Sequence, residues 1–475
     1  MVKALAPAGA GLPEDSSPVA RARRGKEARA RTPRSSHGDW APVASRPDPI
    51  DLLREQATTR VEGLVPIRHG RMGASAFAFF RGAAVVMASD LASSPNTGLD
   101  VQLCGDAHLA NFGGFASPER SLVFDVNDFD ETLPGPFEWD VKRLAASLEI
   151  AARARDFDDA TRAKVVSGAM RSYRETIRKF AVMANLDVWY ARLDLDAILR
   201  MWGQELGTAA IKRFQRTVDK AGSKDRLKAK AKLTELVDGE LRFASDPPLL
   251  VPVRDLFSGA DHQRLHDTIG AALASYRATL NGDRRHLLEG YRFVDLARKV
   301  VGVGSVGTRS WVALMEGRDD NDPLFLQVKE AEASVLEPFL TASVFENHGQ
   351  RVVEGQRLMQ AASDIFLGWE RVEGVDGRTH DYYMRQLWDW KASADIATMD
   401  PAMVEVYGQM CGWVLARSHA RSGDPIAIGA YLGAAGTFDA ALTRFACSYA
   451  EQNELDHQRL VDVIATGEVE AESGI

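Results

Sequence analysis

The chain has 475 residues, 45% of them hydrophobic and 26% charged, which is enough to bury a large core in two or three domains. A formal net charge of −8 argues against a protein that coats nucleic acid, and no window reaches the about 18 uninterrupted apolar residues of a membrane-spanning helix. Cys104, Cys411 and Cys447 lie far apart and are odd in number, so they form neither a disulfide framework nor a metal-ligand pair; with no secretory apolar segment at the N-terminus, this points to the cytoplasm.

Residues 1–45 read as a disordered basic tail, because the stretch VARARRGKEARARTPR has too little apolar surface to offset its ordering entropy. From about 50 to 100 the pattern is helical, with FAFFRGAAVVMASDL as its strongest apolar segment. Turn formers then cluster from Ser93 to Gly98, and the short apolar runs VQLC and SLVFDV predict the two strands of a small hairpin. Residues 140–290 read as mostly helical, with Val165, Val166, Met170, Tyr173, Ile177 and Phe180 marking one buried face. Within them a basic run from Lys212 to Lys232 carries nine Lys or Arg against Asp219 and Asp225, a solvated face or a site for an acidic partner. After Tyr291 four or five strands alternate with turns, interrupted by one helix around ENHGQRVVEGQRLMQAAS, and helix returns over the last 75 or so residues. This gives an α+β chain with a helical lobe over 46–290, a small antiparallel sheet lobe over 291–395, and C-terminal helices over 396–475 that complete the larger helical lobe.

The segment CGDAHLANFGGFASPERSLVFDVNDFDE gathers Asp106, His108, Asn111, Asp125, Asp128 and Asp130 beside apolar runs that must be buried. Carboxylates in such a place are costly unless cations or metal ions satisfy them, and Asp and Asn oxygens are the hard ligands that Mg²⁺ prefers. The spacing from Asp106 to Asn111 has the form G-D-x-H-x-x-N and resembles the catalytic loop of the aminoglycoside and choline kinases, relatives of the protein kinases. The resemblance implies that Asp106, with His108 beside it, accepts or orients the proton of an acceptor hydroxyl, and that Asn111 holds a metal. It implies a further metal-binding Asp after the next strand, for which Asp125, Asp128 and Asp130 are the candidates, Asp128 favoured and Asp130 a second metal residue beside it, and a later anchoring Asp, here Asp140. A Cys at 104 stands where those kinases usually carry a His.

Gly302, Gly304 and Gly307 form G-V-G-S-V-G between two predicted strands. A dinucleotide-binding fingerprint would open a helix instead, whereas a strand–glycine loop–strand arrangement is the kinase form. Lys329, at the end of FLQVK, then resembles the strand lysine on the nucleotide phosphates, and Glu354 its ion-pair partner; Ser305 lies within the loop. Because this half follows Asp106 by nearly 200 residues, the resemblance implies a protein-kinase-like two-lobe fold that is circularly permuted. The helix LARSHA after Trp413 is similar to the one that ordinarily leads into the catalytic loop. FAFFRGAA, CGDAHLANFG, NDFDETLPGP, VGVGSVGTR and EGQRLMQAASD together also look like a bacterial family catalogued as domain of unknown function 2252, over about residues 50–465. The expectation is an ATP- and Mg²⁺-dependent phosphotransferase acting on a hydroxyl of an unidentified small-molecule or protein acceptor. AMP transfer on the same fold, a nucleotide-binding regulator without turnover, and a metal-dependent hydrolase are the alternatives.

Overall fold

The computed structural model describes residues 17–222, 226–257, 260–300, 302–374, 377–387, 390 and 392–474. The predicted tail from 1 to 16 and part of the 212–232 basic run lie outside them. The rest of the expected tail is folded. Helix α1 (Pro18–Arg31) is capped by Ser17, whose hydroxyl accepts Ala20 N–H at 3.2 Å, with Pro18 at its first position. It lies on a helix near the C-terminus, with Arg21 and Arg24 both paired to Asp424 and Arg29 donating to the Tyr431 carbonyl at 2.7 Å. Its buried residues are Ala20, Gly25 and Ala28. Small residues give almost no hydropathy signal, and arginines that read as solvated instead find partners about 400 residues away.

Helices α2 (Pro49–Ala57), α3 (Val65–Gly73), α4 (Ala76–Gly82) and α5 (Ala84–Ala92) follow. Next come strands β1 (Asp100–Leu103), β2 (Phe112–Ala116), β3 (Leu122–Val126) and β4 (Leu133–Pro136). The expected hairpin of VQLC with SLVFDV does not form: β1 pairs with β4, and β3 pairs with β2. The β2 sequence FGGFA is too glycine-rich to announce a strand. The helical lobe is built around α6 (Phe137–Arg153), buried from Phe137 to Ala152, against which α7 (Asp159–Phe180) packs.

Between the lobes run α8 (Asn185–Tyr190), β5 (Leu193–Asp194), α9 (Leu195–Gly222, broken at Gly207), α10 (Arg226–Leu233), the hairpin β6 (Thr234–Val237) and β7 (Glu240–Phe243), β8 (Leu250–Pro252), α11 (Val253–Leu256), α12 (Ala260–Ala278) and α13 (Gly282–Glu289). The region is thus less helical than its pattern predicts. Then come β9 (Arg292–Lys299), β10 (Ser310–Glu316), β11 (Pro323–Ala331), α14 (His348–Met359), β12 (Gly368–Glu373), β13 (Thr379–Gln386) and β14 (Ala392–Ser393). One antiparallel sheet has the order β12-β13-β11-β10-β9-β8, so its last strand comes from outside the predicted 291–395 segment. Helices α15 (Pro401–Ser422), α16 (Pro425–Leu432) and α17 (Thr437–Ala465) close the chain. Asp-Pro opens α2, α15 and α16 alike: the Asp side chain accepts backbone N–H groups of the first turn and the Pro fixes the first helical φ.

The fold is mixed α+β with small antiparallel sheets. Among the described residues no single helix is long and apolar enough to cross a membrane; α16 and α17 pass that test only as a pair bent by 84°, and most of their apolar residues are packed in the core.

Candidate functional site

The loop after β1 is held by buried charge. Asp140, in the first turn of α6, accepts Cys104 N–H at 2.8 Å and Gly105 N–H at 3.0 Å. Its carboxylate also lies 3.3 Å from His419 Nε2 on α15, whose Nδ1 meets the Tyr173 hydroxyl at 2.8 Å. Gly105 is required here: its φ is 83°, and a Cβ would lie 2.2 Å from the Glu131 carbonyl oxygen. The loop thereby presents Asp106, whose Oδ1 receives Arg143 Nε at 2.8 Å while Oδ2 lies 3.5 Å from His108 Nε2. Arg143 is fixed in turn by the Phe80 carbonyl and ring. His108 Nδ1 accepts Ala110 N–H at 3.2 Å, which directs its N–H toward Asp106. Burial pushes His108 down to about 4 against the pull of Asp106, so the ring is neutral at pH 7. Asn111 donates to the Asp106 carbonyl at 2.8 Å, leaving its amide oxygen available.

The three aspartates of VNDFD and its preceding strand part company. Asp125 is fully buried against Arg417 and accepts Ala361 N–H at 2.9 Å; it ties β3 to α15 and to the chain after α14. Asp128 and Asp130 turn into the cleft between helical lobe and sheet, on either side of the buried Phe129. Lys329, on β11, reaches Asp130 Oδ2 at 2.5 Å and Asp128 Oδ1 at 3.5 Å. Burial opposes the lysine's charge, but Asp128 and then Asp130 outweigh it and raise its pKa. Tyr383, the cross-strand partner of Lys329 on β13, donates to Asp130 Oδ1 at 2.7 Å. Ser305 reaches the same carboxylate at 3.4 Å. Asp130 is therefore committed to the sheet lobe. Asp128 keeps an oxygen for the cleft.

Glu354 does not meet Lys329. The buried face of α14 runs through Arg351, Val352, Gly355, Gln356 and Met359; Glu354 lies off it and pairs with Arg357 at 3.3 Å. Arg351 is the residue that reaches the site, donating to the carbonyls of Asp130, Thr132 and Glu332 at 2.7–2.8 Å. The lysine's countercharge comes from the acidic turn, so no helix glutamate is needed.

The 302–307 loop is clamped by α3 and by the connection that follows α2. Arg71 donates to the Gly302 carbonyl at 2.5 Å, Arg60 to that of Val306, and Val61 N–H to that of Gly307 at 2.8 Å. Gly302 and Gly307 have φ of 66° and 92°, values that favour glycine. Under the loop lie two adjoining cavities. One, of about 340 Å³, is lined by Asp106, His108, Gly304, Glu131 and Glu332; the other, of about 270 Å³, by Phe115, Gln327, Lys329, Arg385 and Leu387. Asn111, Asp128, Gly302, Ser305 and Arg81 line both. Gly307 sits behind the loop against the Arg60 side chain.

Sequence reasoning missed Arg81, Arg143, Tyr383 and Arg385. Arg81 stands where the cavities meet, with its Nε buried and without a hydrogen-bond partner, and Asp106 is the charge it feels most. Its only sequence signal is a position in the FAFFRGAA segment. Among the described residues no three His, Cys, Asp or Glu side chains converge as a metal site. Asp128 and Asn111, which both line the two cavities, carry hard oxygen donors of the kind that could hold Mg²⁺ beside phosphate oxygens.

Residues 60–463 match the family described as an uncharacterized protein conserved in bacteria (DUF2252). The chain belongs to that family. No curated protein and no solved structure matches it. The match to the DUF2252 family covers Asp106, Asn111, Asp128, Lys329 and the 302–307 loop, while Glu55, Gln56 and Thr59 at the edge of the larger cavity precede it.

Proposed function

We propose that this DUF2252 protein is an ATP- and Mg²⁺-dependent phosphotransferase acting on a hydroxyl, built on a circularly permuted kinase-like fold. The observation that carries the reading is the approach of Lys329 to within 3.5 Å of Asp128 across the lobes, beneath a glycine loop and beside Asp106. The strand order along the chain supports it: glycine loop between β9 and β10, lysine on β11, helix α14 next, as in protein kinases. The 270 Å³ cavity would take the nucleotide base and sugar, with Phe115 and Leu387 as apolar walls, and the phosphates would lie under Gly302–Ser305. Asp128 and Asn111 would hold the metal, which supplies charge neutralisation on the phosphates. The acceptor would enter the 340 Å³ cavity, where Asp106, its orientation fixed by Arg143, receives the hydroxyl. Arg81, free and central, would meet the phosphate passing between the two. Lys329 would exchange part of its contact with Asp130 for phosphate oxygen.

Purified protein should melt higher with ATP and Mg²⁺; a ligand at 100 times its Kd adds about 2.7 kcal/mol. Asp128→Asn should weaken that shift. Asp106→Asn should keep it while abolishing the modified species that mass spectrometry detects after incubation with ATP, Mg²⁺ and a metabolite extract. No shift at millimolar ATP, or interchangeable effects of the two variants, would sink the assignment. A product carrying AMP in place of phosphate would turn it into the transferase alternative on the same site.

A further inference from the structure

The sheet has a second face, and it is not fully covered. Along β9, Leu296 and Arg298 alternate with Ala297 and Lys299; along β11, Val328 alternates with Gln327 and Lys329; along β13, Tyr382 and Met384 alternate with Tyr383 and Arg385. Lys299, Gln327, Lys329 and Arg385 line the cleft described above. Leu296, Arg298, Val328, Tyr382 and Met384 line a separate cavity of about 430 Å³ on the reverse side, closed by Ile269, Ala272 and Leu273 of α12 and by Phe257. Consecutive residues of one strand thus serve two different sites.

The chemistry of this cavity is apolar with one charged end. Trp311, Ala313 and the residues just named form its walls, a composition and size typical of small-molecule sites, which are usually about 300–1,000 Å³ and mostly hydrophobic with a few placed polar groups. Its cations are Arg298 and Arg309. Arg309 is already paired with Glu330 at 3.1 Å. Arg298 has its Nε buried without a hydrogen-bond partner, and burial lowers its pKa. The carboxylate of the lining, Glu373, lies on an exposed strand end. A buried guanidinium nitrogen lacking an acceptor is a costly arrangement in an apolar wall, and an anionic head group would satisfy it.

We propose that this cavity binds a small amphipathic carboxylate, an acyl chain of medium length whose head group engages Arg298 and whose tail lies between α12 and the sheet. Binding there would press on Val328 and Tyr382, the chain neighbours of Lys329 and Tyr383. The site itself does not depend on the phosphotransferase reading.

The test is calorimetric titration of the full chain with sodium decanoate and, separately, with decanol, which has the same tail and no charge. Decanoate is expected to bind saturably at one site, at least about tenfold tighter than decanol, since a charge-assisted hydrogen bond contributes about 1.5–3 kcal/mol. Arg298→Gln should remove that preference while leaving decanol affinity unchanged. Ala272→Trp, placed on the half-exposed side of α12, should fill the cavity and abolish both. Equal affinity for the two ligands, decanoate binding that survives Ala272→Trp, or no saturable binding in a folded protein would each overturn the proposal. Unfolding of a variant would show in its melting curve, and in that case the decanoate-to-decanol ratio of the unmodified chain decides alone.

Discussion

Replacing Asp140 by Asn tests whether the catalytic-loop reading rests on a real anchor. The carboxylate is buried and accepts two backbone N–H groups, at 2.8 and 3.0 Å, from Cys104 and Gly105. An Asn in the same volume can offer its oxygen to one of them, and its NH₂ then faces the other donor. One buried N–H is left unsatisfied, at about 1–3 kcal/mol, and the surviving bond loses its charge assistance, about another 1 kcal/mol. The contact to His419 at 3.3 Å weakens as well. The expected loss is about 2–4 kcal/mol, a large share of the roughly 5–15 kcal/mol that holds a folded domain together. Urea unfolding of Asp140→Asn beside the unmodified chain, followed by far-ultraviolet circular dichroism, measures it. A loss under about 1 kcal/mol with an unchanged denaturant slope would mean that the two N–H groups find other acceptors and that Asp140 does not hold the loop.

Other residues give sharper single outcomes. Arg417→Met leaves Asp125 buried without its cation and should destabilise the fold by about 3–5 kcal/mol, while Asp125→Asn with Arg417→Met together should recover part of it; equal losses for the single and double variants in thermal melts would contradict the pairing. His108 has a folded value of about 4 against about 6.5 unfolded, so above pH 6.5 it contributes nothing. As pH falls from 6.5 toward 4 the unfolded chain takes up the proton first and stability is lost, by up to about 3 kcal/mol. His108→Gln should therefore lose less stability than the unmodified chain between pH 7 and 4.5, and parallel curves would refute the buried neutral ring. Arg81→Gln should leave melting without ligand within about 0.5 kcal/mol, because its buried Nε has no hydrogen-bond partner to lose, yet weaken Mg²⁺–ATP binding about tenfold in thermal-shift titration; unchanged binding would remove Arg81 from the phosphate path.

The parts of the site written as local spacing were legible. Asp106, His108 and Asn111 lie within six consecutive residues, Gly302 to Gly307 within six more, and each cluster folds as one loop. What the sequence concealed was set by side chains meeting across long separations. Arg143 lies on a helix that is buried all round, so nothing in its periodicity marks it as the partner of Asp106. Glu354 has the place after the lysine that the resemblance asks for, but the helix register turns Arg351 inward in its stead. Asp125 and Asp130 are indistinguishable by spacing; the first lies in β3 against Arg417 and the second in the turn that follows, against Lys329. The folded part of the N-terminal tail was hidden for another reason: helix packing through Ala and Gly depends on close approach of backbones, as where a Cβ on Gly25 would fall 2.0 Å from the Ala427 carbonyl oxygen, and hydropathy does not register it.

The proposed permutation makes a physical demand that can be examined at its seam. If the usual order is sheet lobe, helix, catalytic loop, then the end of α15 must lie where β1 begins, even though the chain between them has been cut and rejoined elsewhere. Gln102 N–H donates to Ser422 Oγ at 3.2 Å across 320 positions. A Cβ on Gly423, just past the helix end, would lie 2.9 Å from the Asp100 carbonyl oxygen and 2.6 Å from the Val101 side chain. The helix therefore ends against the strand that leads into Cys104, Gly105 and Asp106. His419, in the last turn of that helix, lies against Asp140, the group that anchors those residues. The sheet strands and α15 are consecutive in sequence, and the loop after β1 follows them in space although it precedes them in the chain. A permutation changes only connections, and the bonds that define this site are tertiary: Asp140 to Gly105, Lys329 to Asp130, Arg417 to Asp125. They would be the same bonds in either order, which is why such a rearrangement can leave a site intact.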